Sequence, residues 1–138
     1  MLAIMSVHLG YVFLFVADVA AAVAFYEDAF GLTCRYRDEE GMFAELDTGS
    51  TVLAFAEDGY ASTANGIAHR PFDPHAAPPG VSLTLVSDSV DEDWARAVTA
   101  GAHVVSPPAA KPWGQTVGYL RDPHGLIVEI ASEVHYAS

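Results

Sequence analysis

The order of apolar and polar positions predicts a chain built twice from one pattern. Tyr11-Val-Phe-Leu-Phe-Val16 is an unbroken aromatic and β-branched run, the signature of a buried strand. Asp18 follows as a helix N-cap. Val19, Val23, Tyr26, Ala29 and Phe30 then recur at helical spacing until Gly31 stops the helix. Strands are predicted at Thr33 to Arg37, Met42 to Leu46 and Thr51 to Ala56, separated by turn signals at Asp38-Glu-Glu-Gly41 and Asp47-Thr-Gly-Ser50.

From Tyr60 to Gly80 regular spacing disappears, and Pro71, Pro74, Pro78 and Pro79 mark a loop-like connector. The first pattern then returns. Val81 to Val86 reads as a strand, Ser89 or Asp91 as the cap of a helix, and Trp94, Ala97 and Val98 as one helical face ending at Gly101. A strand at His103 to Val105, a Pro107-Pro108 loop and the segment around Trp113 follow. The copy closes with a hairpin whose turn is Asp122-Pro123-His124-Gly125, because proline pre-sets the turn and Gly125 tolerates positive φ. Each copy reads β-α-β-β-β, and Gly31 and Gly101 hold equivalent places. Within the return strand, Glu129 stands among Ile127, Val128 and Ile130. An unpaired carboxylate on a strand buried on both faces is costly, so a partner is expected to face it.

Composition narrows the classes. A chain of 138 residues that is 51% hydrophobic makes one domain with a real core, residues 1–138, with module one at about 9–58, a connector at 59–80 and module two at about 81–134. The balance of 18 acidic against 6 basic residues, formally -12, argues against nucleic acid or an anionic membrane as partner; it permits steering of a cationic ligand, although a solubilising surface charge is the simpler reading. Leu9 to Ala17 is apolar, but no Lys or Arg precedes it and Asp18 closes it too early to span a bilayer. The single cysteine, Cys34, excludes an internal disulfide framework and fits a reducing, cytoplasmic compartment. Among the six histidines, His69 and His75 flank Arg70 to Pro74 with no helical or hairpin ligand spacing, while His124 and His135 are expected at the surface. Arg121 and Asp122 are expected to pair across the turn.

The repeated unit resembles a known family. Phe25-Tyr26…Gly31-Leu32, Trp94…Ala100-Gly101-Ala102 and the Arg-Asp-Pro-His-Gly-x-x-x-Glu hairpin are similar to the vicinal oxygen chelate superfamily, which holds glyoxalases, extradiol dioxygenases and bleomycin-type resistance proteins. The resemblance covers roughly Leu9 to Val134 and implies an α+β fold: two tandem βαβββ modules forming a cupped mixed sheet around a cavity, with helices outside. It also implies a homodimer. Metal-using members place ligands on the first and last strand of each module, which here are Tyr11, Ala54, Ser82 and Glu129. Of these only Glu129 is a ligand of the required type, since a divalent centre takes about three imidazole or carboxylate donors. No metal or other cofactor is expected.

The expected cavity face carries Tyr11, Phe13 and Phe15 from one strand, Ser82 and Thr84 from its counterpart, Glu129, and Trp113 on a loop. Such a face stacks a flat or amphipathic organic ligand and orients it with few hydrogen bonds. Three functions follow in different classes. The first is a metal-independent, antibiotic-resistance-like protein that sequesters an aromatic or cationic small molecule without catalysis. The second is an enzyme in which Glu129, with Tyr11, supplies acid and base. The third is a metal-dependent glyoxalase, lyase or dioxygenase drawing ligands from elsewhere.

Overall fold

The computed structural model describes residues 6–134, so His135 and its expected exposure lie outside the described residues. The chain forms β1 (Tyr11–Val16), α1 (Val19–Phe30), β2 (Thr33–Arg37), β3 (Phe43–Asp47), β4 (Val52–Glu57) and α2 (Asp58–Thr63). It continues with β5 (Ser82–Val86), α3 (Val90–Thr99), β6 (His103–Ala110), β7 (Thr116–Arg121) and β8 (Ile127–Ala131). Two four-stranded mixed sheets result, ordered β1-β4-β3-β2 and β5-β8-β7-β6. In each the first strand pairs parallel with the last and the other pairs are antiparallel, so the internal repeat extends to topology. By its internal contacts the chain divides into two compact units. The first takes residues up to Val23 together with Leu32–His69, and the second takes Ala24–Gly31 together with Arg70 onward.

Helix α1 starts where Asp18 Oδ1 accepts from the Ala21 amide at 3.0 Å, which satisfies one of the amides a helix start leaves open. Val19, Ala22, Val23, Tyr26 and Ala29 are buried, as the 3.6-residue period requires. Gly31, at φ +68°, ends the helix with its amide on Glu27 O at 2.9 Å. Helix α3 is capped differently from the expectation. Ser89 occupies the N-cap position but its side chain makes no capping bond. Ser87 Oγ instead accepts from the Ser89 amide at 2.9 Å and donates to Asp93, and Asp91, Glu92 and Asp93 complement the positive end of the helix.

Three strand and connector assignments change. The connector opens with α2, whose N-cap is Glu57; its carboxylate accepts from the Tyr60 amide at 2.8 Å, and the Gly59 amide first and then the Tyr60 amide hold its pKa below the usual value. A six-residue helix carrying Gly59 has too little periodicity to be read from sequence. Strand β6 runs on through Pro107 and Pro108 where a loop was expected. It is an edge strand with register shifts between Val104 and Ser106 and between Ser106 and Ala109, and edges and bulges are where a residue without an N–H is tolerated. Strand β8 is covered on one face rather than two: Val128 and Ile130 are buried, while Ile127 and Glu129 are half-buried on the other.

Candidate functional site

The first unit presents an open sheet face dominated by rings. Along β1, Leu14 and Val16 are buried, whereas Tyr11 and Phe13 remain 47% and 42% exposed and Phe15 is half-buried, which is the period of two for a strand with one free face. The register sets Phe13 beside Ala54 and Phe15 beside Ala56 on β4, and these alanines oppose Glu45 and Phe43 on β3. Because β4 offers only methyl groups here, rings from β1 and β3 meet across it. Phe13 and Phe43 lie 5.5 Å apart, Tyr11 stacks on Phe13 at 5.9 Å, and Tyr36 of β2 approaches Phe43 at 5.7 Å. These are ordinary aromatic contact distances, and the rings form a continuous shelf. Arg35 Nε pairs with Glu45 Oε1 at 2.8 Å beside it. At the other end, the His69 ring packs 4.9 Å from Phe15.

The second unit presents a more polar face. Thr84 of β5 lies beside Glu129 of β8 and Ser82 beside Ile127, and on the opposite flank Tyr119 of β7 opposes Glu129. The Glu129 carboxylate beside it, through hydrogen bonding first, then burial and charge, pushes the Tyr119 pKa above its ordinary value. Glu129 therefore stands half-buried on an open face with a phenol opposite it, not on a strand covered on both sides. Trp113 occupies the β6–β7 loop, 59% exposed, with its Nε1 donating to Gln115 Oε1 at 2.7 Å. Gln115 in turn donates to Ser132 O at 2.9 Å, which ties the loop to the chain leaving β8. A cavity of about 360 Å³ lies at this end, lined by Asp88 to Glu92, Thr116 and Ser132.

The Asp122 turn departs from expectation. Asp122 is buried and accepts from the Tyr26 hydroxyl at 2.6 Å and from the His124 and Leu126 amides at 2.9 and 3.0 Å, instead of pairing with Arg121. Arg121 Nε donates to Gly125 O at 2.9 Å and its Nη2 to Asp73 O at 3.3 Å. His124 is half-buried rather than exposed, and its Nε2 is covered without a hydrogen-bond partner. His69 is committed to Asp58 and the Ile67 carbonyl, at 2.8 and 3.0 Å.

The structure therefore groups Tyr11, Phe13 and Phe15 in one unit and Ser82, Thr84 and Glu129 in the other, with Trp113 on a loop of the second. Sequence reading missed Tyr36, Phe43, Arg35 and Glu45 on the first face and Tyr119 on the second. Alternation in Phe43-Ala-Glu-Leu46 was the available signal, since its half-buried positions are Phe43 and Glu45. The four positions tied by resemblance to metal binding do not fit a divalent centre. Ala54 has no donor and is fully buried, Tyr11 is stacked on Phe13, Ser82 offers a neutral hydroxyl, and Glu129 alone is a ligand of the required type.

Paired βαβββ units with a parallel first-to-last strand define the architectural class, and sequence comparison gives the family. The model of the Glyoxalase/Bleomycin resistance protein/Dioxygenase superfamily matches residues 8–130. The chain belongs to that superfamily. No curated protein matches it. Among solved structures, a glyoxalase-related enzyme from Fulvimarina pelagi is similar at TM-score 0.76 and 24% identity, covering 95% of this chain and 99% of that one. TioX from Micromonospora sp. ML1 is similar at TM-score 0.72 and 25% identity over 92% and 99% of the two chains. Lactoylglutathione lyase from Agrobacterium tumefaciens is similar at TM-score 0.68 and 27% identity over 91% and 92%. Among the described residues no helix is long and apolar enough to cross a membrane.

Proposed function

We propose that this chain is a metal-independent binding protein of the bleomycin-resistance type, which sequesters a planar aromatic, cationic organic molecule. The observation that carries the reading is the shelf of exposed Tyr11, Phe13 and Tyr36 around half-buried Phe43, which lies beside Ala54, a position the resemblance ties to metal binding and which offers no donor. Contiguous exposed aromatic surface marks a binding site more often than an idle one. The ligand's rings stack on Tyr11, Phe13 and Phe15. On the second unit, Ser82, Thr84, Glu129 and Trp113 are assigned to ligand contact in their own right, Glu129 as the group that favours a cation. The net charge of -12 supports the same sign of ligand. We further assign the chain to a homodimer in the cytoplasm. Support for the dimer is the state of β5, where Val86 is 59% exposed and Leu83 and Leu85 are only half-buried, although the equivalent strand β1 buries Leu14 and Val16.

The test is titration of the cationic planar dye thioflavin T into chelator-treated protein, wild type against Glu129→Gln. Saturable binding weakened about tenfold by the substitution supports the reading, that being the cost of one charge-assisted contact. Binding that requires added Zn, Ni, Mn or Fe(II) overturns it.

A second reading rests on the register that sets Tyr119 opposite Glu129, a phenol and a carboxylate side by side on an open face as an acid-base couple would be. In that case the protein turns over a carbonyl substrate without metal, and Glu129→Gln abolishes turnover while binding persists.

A further inference from the structure

His69 is the last residue of the first unit, and both of its ring nitrogens are occupied. Nε2 lies 2.8 Å from Asp58 Oδ1 on α2, and Nδ1 lies 3.0 Å from the carbonyl of Ile67 on its own segment. Both neighbours are acceptors. A neutral imidazole carries one N–H and one lone pair, so it can donate to one of them only and must set a lone pair against the other. The imidazolium donates to both. From β1 the ring meets Phe15 at 4.9 Å, a face to which a cation is attracted, and Asp58 is the charged group that faces it. The His69 and Asp58 side chains are only 18% and 21% exposed, so water competes weakly for these bonds.

We propose that His69 is a proton-operated latch on the aromatic shelf: protonated, it ties the chain at 67–69 to α2 and over Phe15, and on losing its proton it releases that end of the shelf. The bonds to Asp58 and then to the Ile67 carbonyl raise the His69 pKa above the ordinary 6.5 against the opposing effect of burial, so the release falls on the alkaline side of that value. The latch itself depends on no assumption about function. Its consequence, faster exchange of a stacked ligand at higher pH, rests on the binding reading above.

A built-in reporter is the Ile67 amide, which donates to Ala61 O at 3.1 Å and closes the same segment back onto α2. Its hydrogen-exchange protection, corrected for the intrinsic pH dependence of exchange, is measured from pH 5.5 to 9 on ligand-free wild type, His69→Gln and Asp58→Asn. The expected result is protection that falls about tenfold through the titration of His69 in wild type, from loss of one charge-assisted bond. His69→Gln is low and flat, and Asp58→Asn falls at lower pH. The Asp58 variant guards against a His69→Gln protein that fails to fold. Protection that is flat in wild type, or unchanged in both variants, overturns the latch. The dissociation rate of thioflavin T from wild type, followed over the same range, is expected to rise through the same midpoint. A pH-independent rate overturns control of the shelf. Absence of saturable dye binding overturns the binding reading and with it the control of exchange, while the Ile67 amide decides the latch by itself.

Discussion

Tyr26 and Asp122, ninety-six positions apart in sequence, share a buried hydrogen bond of 2.6 Å between phenol and carboxylate. It joins the C-terminal half of α1 to the β7–β8 turn within the second unit. The phenol's pKa is raised well above its ordinary value, chiefly by burial and then by the neighbouring carboxylate charge. Asp122 also holds the turn's own amides at His124 and Leu126, so one side chain organises both the hairpin and its attachment.

Removing the phenol is expected to cost stability without altering the turn. Tyr26→Phe leaves a buried carboxylate one donor short and should lower the unfolding free energy by about 1–3 kcal/mol. Asp122→Ala strands the phenol and two amides together and should cost more than Tyr26→Phe. Urea unfolding measures both, and equal midpoints for wild type and Tyr26→Phe would show that the bond does not matter.

Gly118 is required by its neighbours rather than by its backbone angles. A Cβ there would stand 2.8 Å from Trp94 Cε3 and 3.1 Å from the Pro108 backbone nitrogen. Gly118→Ala is therefore expected to push α3 or β6 aside and lose roughly 1–3 kcal/mol, the usual cost of overpacking. Trp94→Leu should be less sensitive to the same glycine substitution, which a double-mutant cycle detects as a coupling between the two positions.

The pH dependence of stability follows from His69. Its folded pKa lies above the ordinary 6.5, so its contribution is complete below about pH 6.5 and is lost as pH rises through the folded value. The stability gap between wild type and His69→Gln should thus narrow from pH 6 to 9. A gap that widens with pH would carry the wrong sign.

Glu129 and Tyr119 separate binding from chemistry. Under the binding reading, Glu129→Gln weakens a cationic ligand about tenfold and Tyr119→Phe, which leaves the carboxylate charge in place, changes affinity less. Should turnover of a carbonyl substrate be found, its loss in Glu129→Gln with binding intact would instead favour the acid-base role.

The local pattern made most of the fold legible. The strand runs, the helices ending at Gly31 and Gly101, the turn at Asp122 to Gly125 and the two-fold repeat all depend on residues near one another in sequence, and the structure has each of them. What was illegible depends on partners far away. Asp122 beside Arg121 looks like half of a surface pair, yet Tyr26 claims it from α1. Pro107 and Pro108 look like a loop until β7 is seen to pair around them. For the site, Tyr11, Phe13 and Phe15 could be placed together by the period of a single strand. Phe43 and Tyr36 could not, because only the register across β2, β3 and β4 brings them towards Phe13, and Tyr119 could not, because only the β7–β8 register sets it beside Glu129.

The most direct test of metal-independent binding on the aromatic shelf is a titration of thioflavin T into exhaustively chelated protein, with Phe13→Ala in parallel. Loss of one stacked ring is worth about 0.5–1.5 kcal/mol beyond its buried area, so saturable binding to wild type that weakens about tenfold or more in Phe13→Ala is the expected result. Binding that vanishes on chelation and returns with a divalent metal, or that is indifferent to Phe13, would contradict the account.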